Sequence, residues 1–408
     1  MKMRCSAGLV VLAVILMLAT SAILPAQAQT FTVLYTFNGQ DGLNPNAGLV
    51  RDDAGNLYGT TYLGGTFTNG VVFKLDKSDS ETTLLNFNGG SNGGFPSSGL
   101  ILDKAGNLYG PADQGSAGGG VLFKLSPKGK EKVLFNFGGC ATCLRPRVPE
   151  GALLMDTSGN LYGTTLAGGV KGHGIQCNYG CGTIFKLDTA RKLHVLYAFK
   201  GGADGVWPFG PLLQDAAGDF YGTALYGGDL SCPQGTTRGC GTVFKLAKNG
   251  KLTVLYTFTG GPDGAFPAAG GLIRDEAGNF YGSAQGGGNS NCYLGCGTLY
   301  KLGKDGKFTV LYTFTDAEDG GTPFGGMVRD SKGNLYGTTL GGNTNSYYGT
   351  VFELNKAGVM TVLHVLNGGT DGGYPVSGVI RDSAGNLYGT AFVSAGFNGP
   401  GTVFKVTP

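Results

Sequence analysis

A single eight-residue run, Asp-x-x-Gly-Asn-Leu-Tyr-Gly or a close variant of it, occurs seven times in the chain. Successive copies are separated by 51, 53, 59, 60, 55 and 52 residues. Self-similarity at this period is typical of propellers, solenoids and repeat arrays. The copies begin at Asp52, Asp103, Asp156, Asp215, Asp275, Asp330 and Asp382.

Each repeat contains four short apolar segments separated by Gly, Asn and Asp. In the fifth repeat these segments cover residues 271–275, 280–283, 297–302 and 307–314. They are rich in β-branched and aromatic residues, which predicts four strands. Four strands per repeat are the sequence signature of propeller blades, whereas a parallel β-helix has shorter coils without two tight hairpins per unit.

The order of the segments predicts how a ring would close. Residues 31–37 match a fourth strand with no blade before it, and residues 401–406 match a third strand with nothing after it. Pairing the two would complete the last blade and remove exposed edges. We therefore predict an all-β, seven-bladed propeller with four antiparallel strands per blade, closed by the N-terminal strand. It forms one domain over residues 29–408, with repeat units at about 29–79, 80–129, 130–191, 192–250, 251–306, 307–358 and 359–408.

The two faces of such a ring differ. Turns between the first and second strands, and between the third and fourth, are short and nearly constant. Loops between the second and third strands, and between blades, vary in length. Variable loops on a rigid scaffold usually carry binding residues, so the loop-rich face is the candidate functional face.

The first 28 residues have the pattern of a secretory signal. Lys2 and Arg4 precede an apolar stretch at residues 8–24, and Ala26-Gln27-Ala28 is a small-x-small cleavage site. We expect cleavage after Ala28 and a secreted, extracellular or periplasmic protein with no further membrane contact. The alternative is an uncleaved anchor, since about 17 apolar residues can just span a bilayer.

The charge balance excludes one class of partner. Without Lys2 and Arg4, 28 basic and 27 acidic residues remain, with no basic run. A nucleic-acid binder needs concentrated positive charge, so nucleic acid is not an expected partner. An extracellular glycan or a protein is the expected ligand of a monomeric chain.

Eight cysteines follow the signal segment and fall in close pairs within the variable loops. An exported chain with such pairs is expected to form disulfides. Zinc is the alternative, because Cys-x-x-Cys also spaces metal ligands, but three pairs are spaced more widely. The expected disulfides are Cys140–Cys143, Cys177–Cys181, Cys232–Cys240 and Cys292–Cys296.

These repeats resemble the GloVer tandem repeats of secreted bacterial proteins. The resemblance rests on Gly-Leu-x-x-Asp-x-x-Gly-Asn-Leu-Tyr-Gly-Thr-Thr, on Gly-Thr-Val-Phe-Lys-Leu and on Thr-Val-Leu-Tyr-Thr-Phe, and it covers residues 29–408. It implies secretion, although the sorting tail of anchored members is missing here. The Asp-x-x-Gly-Asn-Leu-Tyr turn is more distantly similar to NHL and gluconolactonase-type propellers, and fold analogy says little about activity.

Two sets of aspartates could bind a hard cation such as calcium. The first set begins the seven motif copies, and the second lies in the loops between blades. Asp and Gly in these positions are also the ordinary chemistry of turns, which is the favoured interpretation, so no cofactor or metal is predicted. The second set is Asp41, Asp204, Asp263, Asp319 and Asp371.

A proline in each loop between blades follows a residue that is often aromatic. Aromatic rings near a propeller mouth can stack on sugars or grip a peptide. The alternative is that they pack between blades as core. The predicted ligand-binding residues are Phe95, Trp207, Phe266 and Tyr374.

Four arginines precede the motif aspartate. They could line one end of the channel and attract an anion, but the favoured interpretation is that they form solvated pairs with the neighbouring aspartate. They are Arg51, Arg274, Arg329 and Arg381.

Established catalytic motifs are missing: the chain has no His-Glu-x-x-His helix and no kinase signature set, so no catalytic residue is predicted. The leading hypothesis is a secreted, non-catalytic module that binds an extracellular polysaccharide or protein through the loop-rich face. The alternatives are a hydrolase or lyase acting on extracellular sugars or lactones, and an inert surface or matrix protein. Paired carboxylates brought together by distant loops would favour the enzyme.

Overall fold

The computed structural model describes residues 29–138, 145–171, 177–232, 238–267, 269–290, 292–341, 348–394 and 399–408. These residues form seven antiparallel sheets and no helix, which confirms the predicted all-β, seven-bladed propeller. Within the described ranges, no helix is long and apolar enough to cross a membrane.

Blades 1 to 3 each have four strands, numbered here from the inner to the outer edge. Blade 1 contains β2 (Val50–Arg51), β3 (Leu57–Thr61), β4 (Val71–Leu75) and β5 (Glu81–Asn86). Blade 2 contains β6 (Ile101–Leu102), β7 (Leu108–Ala112), β8 (Gly118–Leu125) and β9 (Glu131–Gly138). Blade 3 contains β10 (Arg147–Met155), β11 (Leu161–Ala167), β12 (Thr183–Leu187) and β13 (Leu193–Ala198).

Blades 4 to 6 repeat this order. Blade 4 contains β14 (Leu213–Gln214), β15 (Phe220–Ala224), β16 (Thr242–Leu246) and β17 (Leu252–Thr257). Blade 5 contains β18 (Ala265–Pro267), β19 (Ile273–Arg274), β20 (Phe280–Gly286), β21 (Thr298–Leu302) and β22 (Phe308–Thr313). Blade 6 contains β23 (Val328–Arg329), β24 (Leu335–Thr339), β25 (Thr350–Leu354) and β26 (Met360–Val365).

Blade 7 closes the ring as predicted. Its inner strands are β27 (Ile380–Arg381), β28 (Leu387–Ala391) and β29 (Thr402–Thr407), and its outer strand is β1 (Thr30–Thr36) from the other end of the chain. β1 pairs antiparallel with β29 in a register that joins Thr30 to Thr407 and Thr36 to Thr402. This pairing satisfies the backbone groups along the edge of β29.

The inner strands are shorter than the sequence predicts. Six of them contain only two paired residues, whereas the fifth repeat predicts about five. The inner strands converge on the ring axis and their backbones meet those of other blades there. A Cβ on Gly270 would lie 2.0 Å from Gly326, and one on Gly378 would lie 2.0 Å from the same residue. Glycine is required where the backbones approach this closely.

Aromatic pairs hold the blades to one another. At six joints, a buried ring at the end of the outer strand of one blade, or just after it, packs edge to face against a ring of the third strand of the next blade, with centroids 5.0–5.5 Å apart. Such pairs contribute about 0.5–1.5 kcal/mol each beyond their burial. Leu366 takes the aromatic position at the seventh joint, in the cluster that contains Phe404. The pairs are Phe37–Phe73, Phe87–Phe123, Phe137–Phe185, Phe199–Phe244, Phe258–Tyr300 and Phe314–Phe352.

The last glycine of the repeated run makes room for the same rings. A Cβ on Gly59 would lie 2.6 Å from the ring of Phe73, and one on Gly389 would lie 2.5 Å from the ring of Phe404. The motif therefore keeps glycine because the third-strand ring lies directly over its backbone.

Blade 5 departs from this pattern and allows a stability test. Tyr300 stands where the other blades have phenylalanine, and among the described residues its buried hydroxyl has no hydrogen-bond partner. Leaving a hydroxyl unsatisfied in the core is unfavourable. We expect Tyr300→Phe to raise the free energy of unfolding by about 1 kcal/mol, measured from the midpoint of urea unfolding.

The matched control is Tyr281→Phe in the same blade. The Tyr281 hydroxyl donates to Asp275 Oδ2 over 3.0 Å, so its removal should lower the free energy of unfolding by about 1 kcal/mol. Equal effects of the two substitutions would contradict this account of the joint.

Candidate functional site

The seven motif aspartates act within their own turns. In blade 5, Asp275 Oδ1 accepts the backbone N–H of Asn279, and Asp275 Oδ2 accepts the Asn279 amide and the Tyr281 hydroxyl. Although burial raises the pKa of Asp275, the hydrogen bonds from Asn279 and Tyr281 keep it below its usual value. The Asp-to-Tyr bond recurs in all seven blades, so these aspartates are structural.

The loop aspartates fix the loops between blades to the outer strands. Asp204, Asp263 and Asp319 each accept the hydroxyl of an outer-strand tyrosine over 2.9 Å. The Tyr35 hydroxyl donates to Asp41 in the same way, and His364 replaces tyrosine beside Asp371. Among the described residues, no three His, Cys, Asp or Glu side chains converge on a common metal position.

The four arginines do not form the ion pairs expected from the sequence. Arg329 lies over the ring of Tyr281, 5.5 Å from its centroid, and Arg381 lies 5.6 Å from that of Tyr336. Each ring belongs to the preceding blade, so these guanidinium groups bridge blades through cation–π contacts. Arg51 and Arg274 do the same over Tyr388 and Tyr221.

The residue before each loop proline has a constrained backbone. All seven have φ between 53° and 58°, an uncommon conformation for residues other than glycine. The N–H of Trp207 donates to the Cys181 carbonyl of the preceding blade, and the Trp207 carbonyl accepts the N–H of Leu225 in its own blade. The backbone of this residue therefore links neighbouring blades through hydrogen bonds that do not depend on its side chain. The seven are Asn44, Phe95, Val148, Trp207, Phe266, Thr322 and Tyr374.

The predicted ligand-binding aromatics lie on the loop-rich face, each beside another ring. Trp207 and Phe266 both pack against Tyr226, with centroids 5.3 and 5.5 Å apart. Phe95 packs on Tyr62, and Tyr374 on Tyr348. Phe266 is buried in the core, and the other three are half-buried. Their role in ligand binding stays a prediction.

Phe266 and Tyr374 also border one surface pocket. It has a volume of about 290 Å³ and extends to Tyr293, whose side chain is 89% exposed.

Disulfides close three of the variable loops. The bonds Cys177–Cys181, Cys232–Cys240 and Cys292–Cys296 lie between the second and third strands of blades 3, 4 and 5. The carbonyls of Cys181, Cys240 and Cys296 each accept the N–H of the pre-proline residue of the next blade. Cys140 and Cys143 lie outside the described residues, as does the predicted cleavage site at Ala28.

The central channel contains a cavity with both polar and aromatic side chains on its walls. It has a volume of about 410 Å³ and is lined from all seven blades. In six blades the residue directly after the loop proline lines this cavity, and the seventh such residue, Ala268, is not described. The six are Asn46, Ser97, Glu150, Phe209, Phe324 and Val376.

Two carboxyl groups meet on one wall of this cavity. Asp113 follows the second strand of blade 2, and Glu150 comes from blade 3. The Ser97 hydroxyl lies between them, with Oγ 2.9 Å from Asp113 Oδ1 and 2.9 Å from Glu150 Oε2. Those two carboxyl oxygens are therefore at most about 6 Å apart.

The proton count at Ser97 determines the charge of this acid pair, Asp113 and Glu150. A serine hydroxyl has one proton to donate. If both carboxyls were ionised, one of them would face a lone pair of Oγ. Ser97 can donate to either carboxyl, and both contacts at 2.9 Å are satisfied together when the other carboxyl is protonated and donates to Ser97.

Burial also opposes the ionisation of both carboxyls at once. It raises the pKa of Asp113 to about 7, against the opposing hydrogen bond from Ser97. Burial, and then the charge of Asp113, raise the pKa of Glu150 well above its usual value. Tyr62 lies close enough that, after burial, the charges of Asp113 and Glu150 also raise its pKa.

The sequence also indicates this site, because two repeat positions carry an acidic residue in one copy only, although these residues match no catalytic motif. Asp113 is the only acidic residue at its position in the repeat, where the other six copies have Tyr62, Leu166, Leu225, Gln285, Leu340 and Phe392. Glu150 stands where the other repeats have Asn, Ser, Phe, Ala, Phe and Val. An acidic residue that occurs in one repeat, at a position that is mostly apolar in the others, is therefore a candidate functional residue.

The sequence matches the family model of the Gloeobacter/Verrucomicrobia repeat over residues 23–177, 176–328 and 294–408. No curated protein sequence matches the chain as a relative.

Several solved structures have a similar fold. The extracellular domain of a protein described as a one-component system of B. thetaiotaomicron has a TM-score of 0.56 at 12% identity, covering 93% of this chain and 42% of that one. A gluconolactonase from Xanthomonas campestris has a TM-score of 0.43 at 14% identity, covering 93% and 89%. The tricorn protease has a TM-score of 0.44 at 13% identity, covering 86% and 28%. At these identities the likeness concerns the fold alone.

The acid pair should make stability depend on pH in a characteristic direction. A carboxyl whose pKa is raised by folding binds more protons in the native state, so its contribution to stability is lost as the pH rises from about 4 to about 7. Asp113→Asn removes this loss. We expect the variant to gain stability relative to the wild type between pH 4.5 and pH 8, by at most about 4 kcal/mol at 1.36 kcal/mol per pKa unit, measured by urea unfolding.

Asp275→Asn is the matched control, because the pKa of Asp275 is lowered in the fold. Its contribution is present at neutral pH and is lost on acidification. This variant should therefore be less stable than the wild type at pH 8 and approach it at low pH. The same pH trend for both variants would contradict the assignment of the acid pair.

Proposed function

The chain belongs to the Gloeobacter/Verrucomicrobia repeat family, and from the geometry of its channel we propose that it is a secreted binding module for an extracellular polysaccharide. One sugar unit enters the central channel from the loop-rich face, and neighbouring units lie across the aromatic residues of that face. An extracellular protein is the competing ligand.

One observation carries the proposal: the positions after the loop prolines present different side chains to one cavity. Ser97 and Glu150 provide hydrogen-bonding groups on one side, and Phe209 and Phe324 provide rings, with centroids 6.1 Å apart, on another. Both rings are only half-buried. A cavity of about 410 Å³ with few polar groups and aromatic walls suits a small polyhydroxylated ligand.

Secretion is supported by two further features. Three disulfides are present among the described residues, and disulfides persist in oxidising compartments outside the cytosol. The N-terminal sequence has the signal pattern.

Ring-removing substitutions test the binding site. Phe209→Ala and Phe324→Ala should each weaken binding of a saccharide found on a glycan array by about tenfold, since truncating an aromatic anchor costs about 1–2 kcal/mol. Affinity is measured by isothermal titration. Phe67→Ala, which removes an exposed ring outside the channel, should bind as the wild type does.

A second set of variants tests the loop-rich face. Trp207→Ala and Tyr374→Ala should weaken binding of long chains more than of short ones, because they lie outside the channel. Unchanged affinity in both sets would remove the polysaccharide proposal, and a peptide that binds in place of every glycan would favour the protein ligand.

A second candidate function, hydrolysis of a sugar ester or lactone, is favoured by the shared proton. Ionised Asp113 takes a proton from water, whose oxygen bonds to the carbonyl carbon, and protonated Glu150 donates its proton to the leaving alkoxide as the ester bond breaks. Ser97 can then return a proton from Asp113 to Glu150. Two carboxyls on one wall suit carbonyl addition better than in-line displacement at a sugar, where they flank the bond.

Turnover distinguishes this candidate from binding alone. A panel of sugar lactones and acetyl esters should be hydrolysed by the wild type and at least about 100-fold more slowly by Asp113→Asn and Glu150→Gln, since general acid–base groups contribute about 10²–10⁴-fold. Hydrolysis is followed by pH-stat. Wild-type rates in both variants, or no turnover of the panel, would reject the hydrolase.

A further inference from the structure

The acid pair in the channel lacks a positive partner. The groups acting on Asp113 and Glu150 are each other, Ser97 and burial, and no Lys, Arg or His of the described residues lines the cavity. Glu150 is only 8% exposed. Buried carboxylates are normally paired with a cation, so this site is short of one positive charge.

Each carboxyl group also has a second oxygen that receives no hydrogen bond from the described residues. Ser97 contacts Glu150 Oε2 and Asp113 Oδ1. Among the described residues, neither Glu150 Oε1 nor Asp113 Oδ2 receives a hydrogen bond. The vacant oxygen of Glu150 belongs to a side chain that is more than nine-tenths buried and lines an open cavity, so a ligand can supply its missing donor.

We propose that the acid pair binds the primary ammonium group of the ligand, which makes an amino sugar the preferred unit of the polysaccharide. This inference rests on the saccharide-binding function proposed above and names its substrate class. An ammonium carries three donors and one positive charge. The two vacant oxygens use two donors, and Tyr62, on the same cavity wall, provides an aromatic face suited to a cation.

A metal ion fits the site less well than an ammonium does. Hard cations take six or more oxygen ligands, and among the described residues no cluster of three metal-ligating side chains exists. The two carboxyls and one serine hydroxyl are too few for such an ion, whereas they are enough for a nitrogen that makes two or three hydrogen bonds.

Binding of the ammonium favours the singly ionised acid pair. The cation stabilises one carboxylate, so a pair that is fully protonated in the free protein loses one proton to solvent as the ammonium binds, and the bound ammonium neutralises the negative charge that remains. Affinity should therefore rise with pH, by up to about tenfold per pH unit for one released proton. The titratable groups at the site are Asp113, Glu150 and Tyr62, and the raised pKa of Tyr62 keeps it neutral over this range.

Isothermal titration with matched ligand pairs tests the inference. The first pair is a glucosamine oligomer and a glucose oligomer of equal length, and the second is cyclohexylammonium and cyclohexanol. At pH 7.5 the amine of each pair should bind at least about tenfold more tightly, as expected for a charge-assisted contact worth 1.4 kcal/mol or more. Titration in two buffers of different ionisation enthalpy should report the release of up to one proton, which a structural role would not produce.

The variants Asp113→Asn and Glu150→Gln keep the shape of the site and change its charge. Each should abolish the preference for the amine and the proton release, with folding verified by circular dichroism. Glu131→Gln, a carboxyl outside the channel, is the control and should retain both.

The outcomes distinguish failure of the ammonium site from failure of the proposed saccharide binding. Equal binding of amine and neutral ligand in both pairs overturns the ammonium site but leaves saccharide binding in place. Binding of cyclohexylammonium without binding of either oligomer supports the ammonium site and overturns the polysaccharide ligand. A preference for amine that persists in both charge variants also overturns the assignment to Asp113 and Glu150.

Discussion

The contact between a third-strand ring and a second-strand glycine is the constraint on which the rest of this propeller depends. The ring of Phe73 lies so close over Gly59 that a Cβ there would be 2.6 Å from it. The same ring meets Phe37 from the preceding blade, so one side chain determines both the packing within a blade and the joint to its neighbour. The repeated run surrounds this contact: its leucine is buried beside the ring, its tyrosine donates to the turn aspartate, and its glycine leaves space. Regularity in the sequence therefore reflects a packing rule that applies seven times.

Because that rule concerns the middle of each blade, it leaves the channel positions free. Side chains at the loop-rich end of the channel do not contribute to the aromatic joints, and they differ from blade to blade. Asn46, Ser97, Glu150 and Phe209 occupy the same position in successive repeats and give one cavity polar and aromatic walls. The scaffold tolerates this variation because the neighbouring backbone is already fixed by the pre-proline residue, whose N–H and carbonyl bond to two different loops.

Most of the fold could be predicted from the sequence, because strand count, blade count and ring closure all follow from the order of repeated segments. The pairing of β1 with β29 was predicted from the unmatched segments at the two ends of the repeat array. The shortness of the inner strands was not, because it depends on how closely glycine backbones of different blades approach at the axis. That approach is a property of the closed ring and has no equivalent within one repeat.

The site was harder to predict because its parts come from different blades. Ser97 and Asp113 belong to blade 2 and Glu150 to blade 3, and only the ring brings their oxygens within hydrogen-bond distance. The sequence pattern predicted ligand binding by the aromatic residues before the loop proline. In the structure, the residue after the proline is the one that lines the channel. The two positions differ in what the fold demands of them: the first must adopt a positive φ between blades, and the second has only to fit a cavity. A position without a structural role is where one repeat can acquire an acid. Glu150 is such an acid: its hydrogen-bond partner is Ser97, and no Lys, Arg or His among the described residues lines the same cavity.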